Sequence, residues 1–123
     1  MDFKVFEYSL EADEGRWFEI GDAGERIKVR SDESELYTKV LRGVLDSHPN
    51  WRKLPRKVQD RLFIKAIASG LLLDWDGMTD NGVPIEPTQE NKEEMLTKYP
   101  SFRRLVSDLA GSVANFQRAP EQD

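Results

Sequence analysis

Between Phe63 and Leu73 the chain carries Phe63, Ile64, Ala66, Ile67, Ala68, Leu71, Leu72 and Leu73, broken by Lys65, Ser69 and Gly70. Just before it, Val58 and Leu62 alternate with Arg56, Lys57, Asp60 and Arg61. The pattern predicts one helix from about Pro55 to Leu73, amphipathic in its first half and apolar nearly all round in its second. A helix apolar on every side has to be buried, so the rest of the chain must wrap around this segment. The run is too short to span a bilayer, and Lys65 interrupts it.

The flanking segments supply the wrapping. Phe3, Val5, Phe6 and Tyr8 mark a candidate strand, and Arg16 to Ile20 marks a second. Gly21 to Gly24 is a turn signal, and Arg26-Ile27-Lys28-Val29-Arg30 alternates charged and apolar residues as a half-buried strand does. The last two runs predict a hairpin. Ser31 or Asp32, with Glu35 as a capping-box partner, starts a helix whose apolar face is Leu36, Tyr37, Val40, Leu41, Val44 and Leu45. His48-Pro49-Asn50 ends it. After the central helix, Asp74 to about Pro87 reads as a long irregular loop containing Asn81-Gly82, Pro84 and Pro87. Thr88 caps a short helix through Met95 and Leu96. Beyond Pro100, Phe102, Leu105, Val106, Leu109, Val113 and Phe116 recur at helical spacing. The expected architecture is α+β: an N-terminal β-hairpin or small antiparallel sheet followed by about four α-helices. A chain of 123 residues suits a single domain. Residues 1–117 are assigned to it, with 1–30 β-rich and 31–117 mainly helical, and 118–123 are expected to form a mobile tail.

Composition narrows the chemistry. About 38% of residues are hydrophobic, enough for a packed core. There is no Cys, which removes disulfides, thiolate metal sites and cysteine nucleophiles. No basic start followed by an apolar stretch marks a signal peptide, so a cytoplasmic location is expected. The single His48 sits at a helix end, where a C-terminal cap is the expected role, and the sequence shows no base or nucleophile to pair with it. Asp74, Asp76 and Asp80 invite a calcium reading. Counting from Asp74, however, position six is Thr79 and position twelve Ile85, and from Asp76 they are Asn81 and Pro87. Neither frame supplies the Gly and Glu that an EF-hand loop requires. No metal, cofactor or catalytic residue is expected.

Charge is unevenly spread. Residues 52–65 hold six Lys or Arg and one Asp, whereas residues 74–94 hold seven Asp or Glu and one Lys. The two segments can neutralise each other within one molecule or meet between molecules. Trp51 beside Arg52, Lys53, Arg56, Lys57, Arg61 and Lys65 has the makings of a single-stranded nucleic-acid site. The overall charge of −5 argues against it and in favour of a solvated helix face or a protein partner.

The stretches Gly70-Leu71-Leu72-Leu73-Asp74-Trp75-Asp76-Gly77, Asp80-Asn81-Gly82-Val83-Pro84-Ile85, Thr88-Gln89-Glu90-Asn91 and Pro100-Ser101-Phe102 through Ala114-Asn115-Phe116 resemble, in that order, a family of phage tail assembly chaperones. The Gly21 to Arg30 hairpin fits the same pattern, and Met1 to Gly15 has no counterpart in it. The resemblance implies a non-catalytic protein of the host cytoplasm that binds the tape measure protein, helps tail tube subunits polymerise around it, and lines up in many copies. Trp51, Arg56, Lys57, Arg61, Asp74, Trp75, Asp76 and Phe116 are the residues expected to contact partners, although Trp51, Trp75 and Phe116, taken singly, suit a core better than an interface. The competing expectations are a structural tail completion or connector protein, and a small nucleic-acid-binding regulator.

Overall fold

The computed structural model describes residues 1–118. Its order is α1 (Glu11–Glu14), β1 (Arg16–Glu19), β2 (Arg26–Val29), α2 (Glu35–Asp46), α3 (Arg56–Gly70), β3 (Leu72–Asp76), β4 (Thr79–Asp80), β5 (Val83–Pro84), α4 (Gln89–Lys98) and α5 (Pro100–Gly111). The α+β class holds. One antiparallel sheet runs β1-β2-β3, and β4-β5 is a separate two-stranded ribbon.

The central helix is α3. Leu62, Ile64, Ala66, Ile67, Ala68 and Gly70 are buried, and among its last eight residues only Lys65 and Ser69, one turn apart, are exposed. Ile64, Ile67 and Ala68 pack with Ile27 and Val29 of β2, Leu72 and Trp75 of β3, Leu96 of α4, and Val106 and Ala110 of α5. The helix stops at Gly70, three residues earlier than its apolar pattern predicts. A Cβ at Gly70 would lie 2.8 Å from the Tyr37 ring and 3.3 Å from Val40, so glycine lets α2 close onto the end of α3.

The expected loop from Asp74 is a strand instead. β3 pairs Trp75 with Ile27 and Asp74 with Lys28, but Leu72 with Val29. Leu73 is therefore an extra residue, a bulge that turns both Leu72 and Trp75 inward. The bulge breaks the alternation by which a strand is read, so the leucines look helical. Downstream, Asn81 (φ 51°) and Gly82 (φ 79°) both take positive φ and fold β4-β5 into a tight hairpin rather than an irregular loop.

Other corrections are local. The first residues are not β-structure: Phe3–Phe6 form a 3-10 turn capped by Asp2, and Tyr8 makes a single bridge to Gln117. Phe3, Val5 and Phe6 do not keep a period of two and are all exposed, so no sheet face is available to them. Ser34 caps α2 by accepting from the Leu36 amide at 3.2 Å. Neither Ser31 nor Asp32 does so, because the buried Ser31 hydroxyl is occupied by the Glu33 amide in the preceding turn. At the other end of α2, His48 Nδ1 lies 3.3 Å from the Val44 carbonyl, the cap position expected of it. The last helix ends at Gly111, and Val113 and Phe116 lie beyond it, in a 3-10 turn and the bend after it. At the start of the expected tail, the Arg118 amide donates to the Glu7 carbonyl at 2.8 Å. Residues 119–123 of that expected tail lie outside the described residues.

Candidate partner-binding site

An apolar cleft of about 280 Å³ opens between the arm formed by β3, β4 and β5 and the helices α4 and α5. Its walls are Trp75, Met78, Ile85, Met95, Tyr99 and Phe102, with Thr79 and Ser101 at the edge. Local chemistry builds it. The Trp75 indole N–H donates to the Ile85 carbonyl at 2.6 Å, and the Ile85 amide donates to the Met78 carbonyl at 3.1 Å. These two bonds fold the arm back on itself. Trp75 meets Phe102 edge to face, with ring centroids 6.4 Å apart. Thr88 accepts from the Asn91 amide at 3.1 Å and starts α4, and the Asn91 side chain donates to the Glu86 carbonyl at 3.0 Å. At the bulge, the Lys92 ammonium donates to the Leu73 carbonyl at 3.1 Å. Burial pushes the Lys92 pKa down, while Asp74 nearby pulls it up.

The rim of the cleft is a charged cluster. Asp80 accepts from the Lys98 ammonium at 2.7 Å and from the Tyr99 hydroxyl. These two hydrogen bonds hold the Asp80 carboxyl below its ordinary pKa, and the same contacts raise those of Lys98 and Tyr99. The three aspartates of the calcium reading are dispersed. Asp74 accepts from the Trp75 amide at 2.8 Å, Asp76 faces Arg26 at 3.4 Å, and Asp80 belongs to Lys98 and Tyr99. Among the described residues, no group of three or more acidic or His side chains is placed to hold a metal ion. Among them also, no helix is long and apolar enough to cross a membrane.

The residues expected to meet partners fall into separate places. Trp75 and Phe116 are core side chains, 6% and 0% exposed; Trp75 forms part of the cleft wall and Phe116 does not line it. Trp51 is half-buried, packed edge to face on Phe63 with centroids 5.7 Å apart and with the Arg52 guanidinium over its ring at 5.2 Å. Arg56, Lys57 and Arg61 are exposed along the first half of α3, Asp74 is half-buried, and Asp76 is exposed. Of the basic and acidic segments, Arg61 and the pair Glu93 and Glu94 line one shallow groove between α3 and α4. The accessible cleft residues Met78, Met95 and Tyr99 carry no periodic signal, and only their position within or beside the motif stretches points to them.

The fold and cleft define a small α+β protein with an apolar, methionine-bearing groove. The chain belongs to the YdaY prophage protein family, whose profile matches residues 25–123. Residues 1–24 lie outside that match. No curated protein and no solved structure matches the chain.

Proposed function

We propose that this prophage protein is a tail assembly chaperone, a non-catalytic binder that engages the tape measure protein in the host cytoplasm and assists tail tube assembly around it. One observation carries the reading. The motif stretches that resemble such chaperones converge on the cleft. Trp75 comes from the Asp-Trp-Asp-Gly stretch, Ile85 from the Asn-Gly-Val-Pro-Ile stretch and Phe102 from the Pro-Ser-Phe stretch, while Thr88 and Asn91 set the start of the helix that bears Met95 and is followed by Tyr99. An apolar groove with flexible methionines suits an amphipathic helix inserted side-on, the kind of segment that a long helical protein exposes before assembly.

The test is co-expression with the tape measure protein of the same prophage, followed by affinity measurement on the purified pair. The expected result is a soluble complex that Met78→Glu weakens by roughly tenfold or more, as for a central apolar contact, with thermal stability unchanged. A tape measure protein equally soluble without this chain, and no complex, would overturn the role. Mass spectrometry of purified particles adds a second arm. A stoichiometric amount in the virion would assign a structural tail component instead.

A further inference from the structure

Exposed large apolar side chains concentrate in one short segment of the described residues. Phe3 is 87%, Phe6 54% and Leu10 78% exposed, and Val5 and Tyr8 are exposed beside them. Apolar side chains this closely grouped on the surface of a small protein mark a place of contact. The segment is held in place. Asp2 caps the Phe3–Phe6 turn by accepting from the Lys4 amide at 2.8 Å. Residues three apart in a 3-10 turn eclipse one another, and the Phe3 and Phe6 rings lie 6.3 Å apart. The Glu7 carbonyl accepts from the Arg118 amide at 2.8 Å, and the Ser9 amide donates to the Phe116 carbonyl at 2.7 Å. The body of the protein thus fixes the backbone of the segment and leaves its apolar side chains uncovered.

The surroundings are acidic. Ser34 donates to the Asp13 carboxylate at 2.7 Å, and the Ser31 amide donates to the Ala12 carbonyl at 3.1 Å, which sets α1 against the start of α2. Glu11, Asp13, Glu14, Asp32 and Glu33 are all exposed there. Arg30, the cation among them, is engaged with the carbonyls of Asp13 and of Gly70 at the end of α3. Tyr8 registers the crowding: its pKa is raised by desolvation and then by Glu33 and Asp32.

We propose that this surface docks a basic amphipathic segment of another protein, with the apolar side chains of that segment against Phe3, Phe6 and Leu10 and its Lys or Arg residues against Glu11, Asp32 and Glu33. Charge selects the occupant. The carboxylates repel anionic lipid and nucleic acid. A two-fold contact between copies of the chain would set acid against acid. A polypeptide that carries cations beside apolar side chains complements both halves of the surface. The apolar half lies outside the family match, and the surface shares no side chain with the cleft. It does not require the chaperone role and can fail without affecting it.

The test is fluorescence anisotropy on the full chain with a labelled amphipathic helical peptide of Leu and Lys, and with a Leu and Glu peptide of the same pattern. The expected result is binding of the Leu/Lys peptide only, weaker at about 500 mM than at about 50 mM salt as screening shortens. The double variant F3S/F6S, folded as the wild type by circular dichroism, should weaken binding by roughly tenfold or more. E11K/E33K should weaken it at about 50 mM salt and flatten its salt dependence. Met78→Glu, which alters the cleft, should leave it unchanged. No binding of the Leu/Lys peptide overturns the proposal, as does equal binding of the Leu/Glu peptide or undiminished binding to F3S/F6S or to E11K/E33K. Loss of binding in Met78→Glu would place the peptide in the cleft and overturn it equally.

Discussion

Asp80 shows how a single carboxylate acquires a structural role here. It lies on the exposed β4-β5 ribbon, yet Lys98 and Tyr99 reach it from the junction of α4 and α5 and tie the arm to the helices. Its folded pKa lies below the ordinary value, so it contributes stability that is full above the unfolded carboxylate pKa. That contribution fades as pH falls through the lowered folded value. Asp80→Asn should therefore melt below the wild-type chain at neutral pH, with the gap closing once pH drops beneath the ordinary carboxylate range. A gap of constant size across the acid limb of a Tm-against-pH series would show that the charge is not involved. Trp75 stands in contrast: its ring is buried and its one polar atom is spent on Ile85, so its part is to shape the cleft from beneath.

At the level of elements, the arm and the helix ends follow from a few residues of special geometry. The Asn81-Gly82 hairpin requires positive φ at two consecutive positions, which Asn tolerates and Gly accepts freely. Nothing lies within 4 Å of a Cβ built at Gly82, so Gly82→Ala meets no clash and isolates the backbone strain. It should cost about 1–2 kcal/mol of unfolding free energy by urea titration. A neutral result would show that the ribbon adopts another turn. The same logic separates α2 from α3. α2 begins on Ser34, whose hydroxyl both accepts from Leu36 and donates to Asp13. α3 begins with Arg56 and Lys57 at the positive end of its dipole, an arrangement that disfavours the helix. A charge placement that weakens its own helix is more easily understood as serving a surface than as serving stability.

On the scale of the whole molecule, the two ends of the chain close over the sheet. Phe116 is fully buried and meets Phe18 of β1 edge to face at 6.2 Å. Ser9 donates its amide to the Phe116 carbonyl at 2.7 Å, and Arg16 donates to Asn115 at 2.8 Å. Residues outside the family match thus cover residues inside it. Phe116→Ala opens a cavity under this clasp and should cost about 3–5 kcal/mol, read from urea unfolding. That is a large share of the roughly 5–15 kcal/mol that holds a domain together. A loss under about 1 kcal/mol would mean that the clasp collapses to fill the space.

The outcome of reading residues in order depended on whether their pattern was local. The buried α3, the β1-β2 hairpin, the Thr88 cap and the His48 helix end were legible because periodicity and capping act over a few neighbours. The basic stretch at Arg52 to Arg61 was legible for the same reason. β3 was not. A bulge at Leu73 cancels the period of two, and the choice of strand over helix for Leu71 to Asp76 is made by an edge of β2 some fifty residues earlier. The cleft and its Met78, Met95 and Tyr99 walls depend on how the arm folds against α4, a contact without any sequence period. The acidic cluster near the end of α3 is the clearest case. Glu11 to Glu14 and Asp32 to Glu35 are unremarkable runs in a chain of net charge −5, and they become one surface only because Arg30 and Ser34 draw α1 against the starts and ends of the helices. Local order determined that α2, α3 and α4 are helices, and it did not determine the strand at Leu72 to Asp76. The long-range hydrogen bonds of the folded chain decided which charges stand together, since charge acts through space at distances that sequence separation does not record.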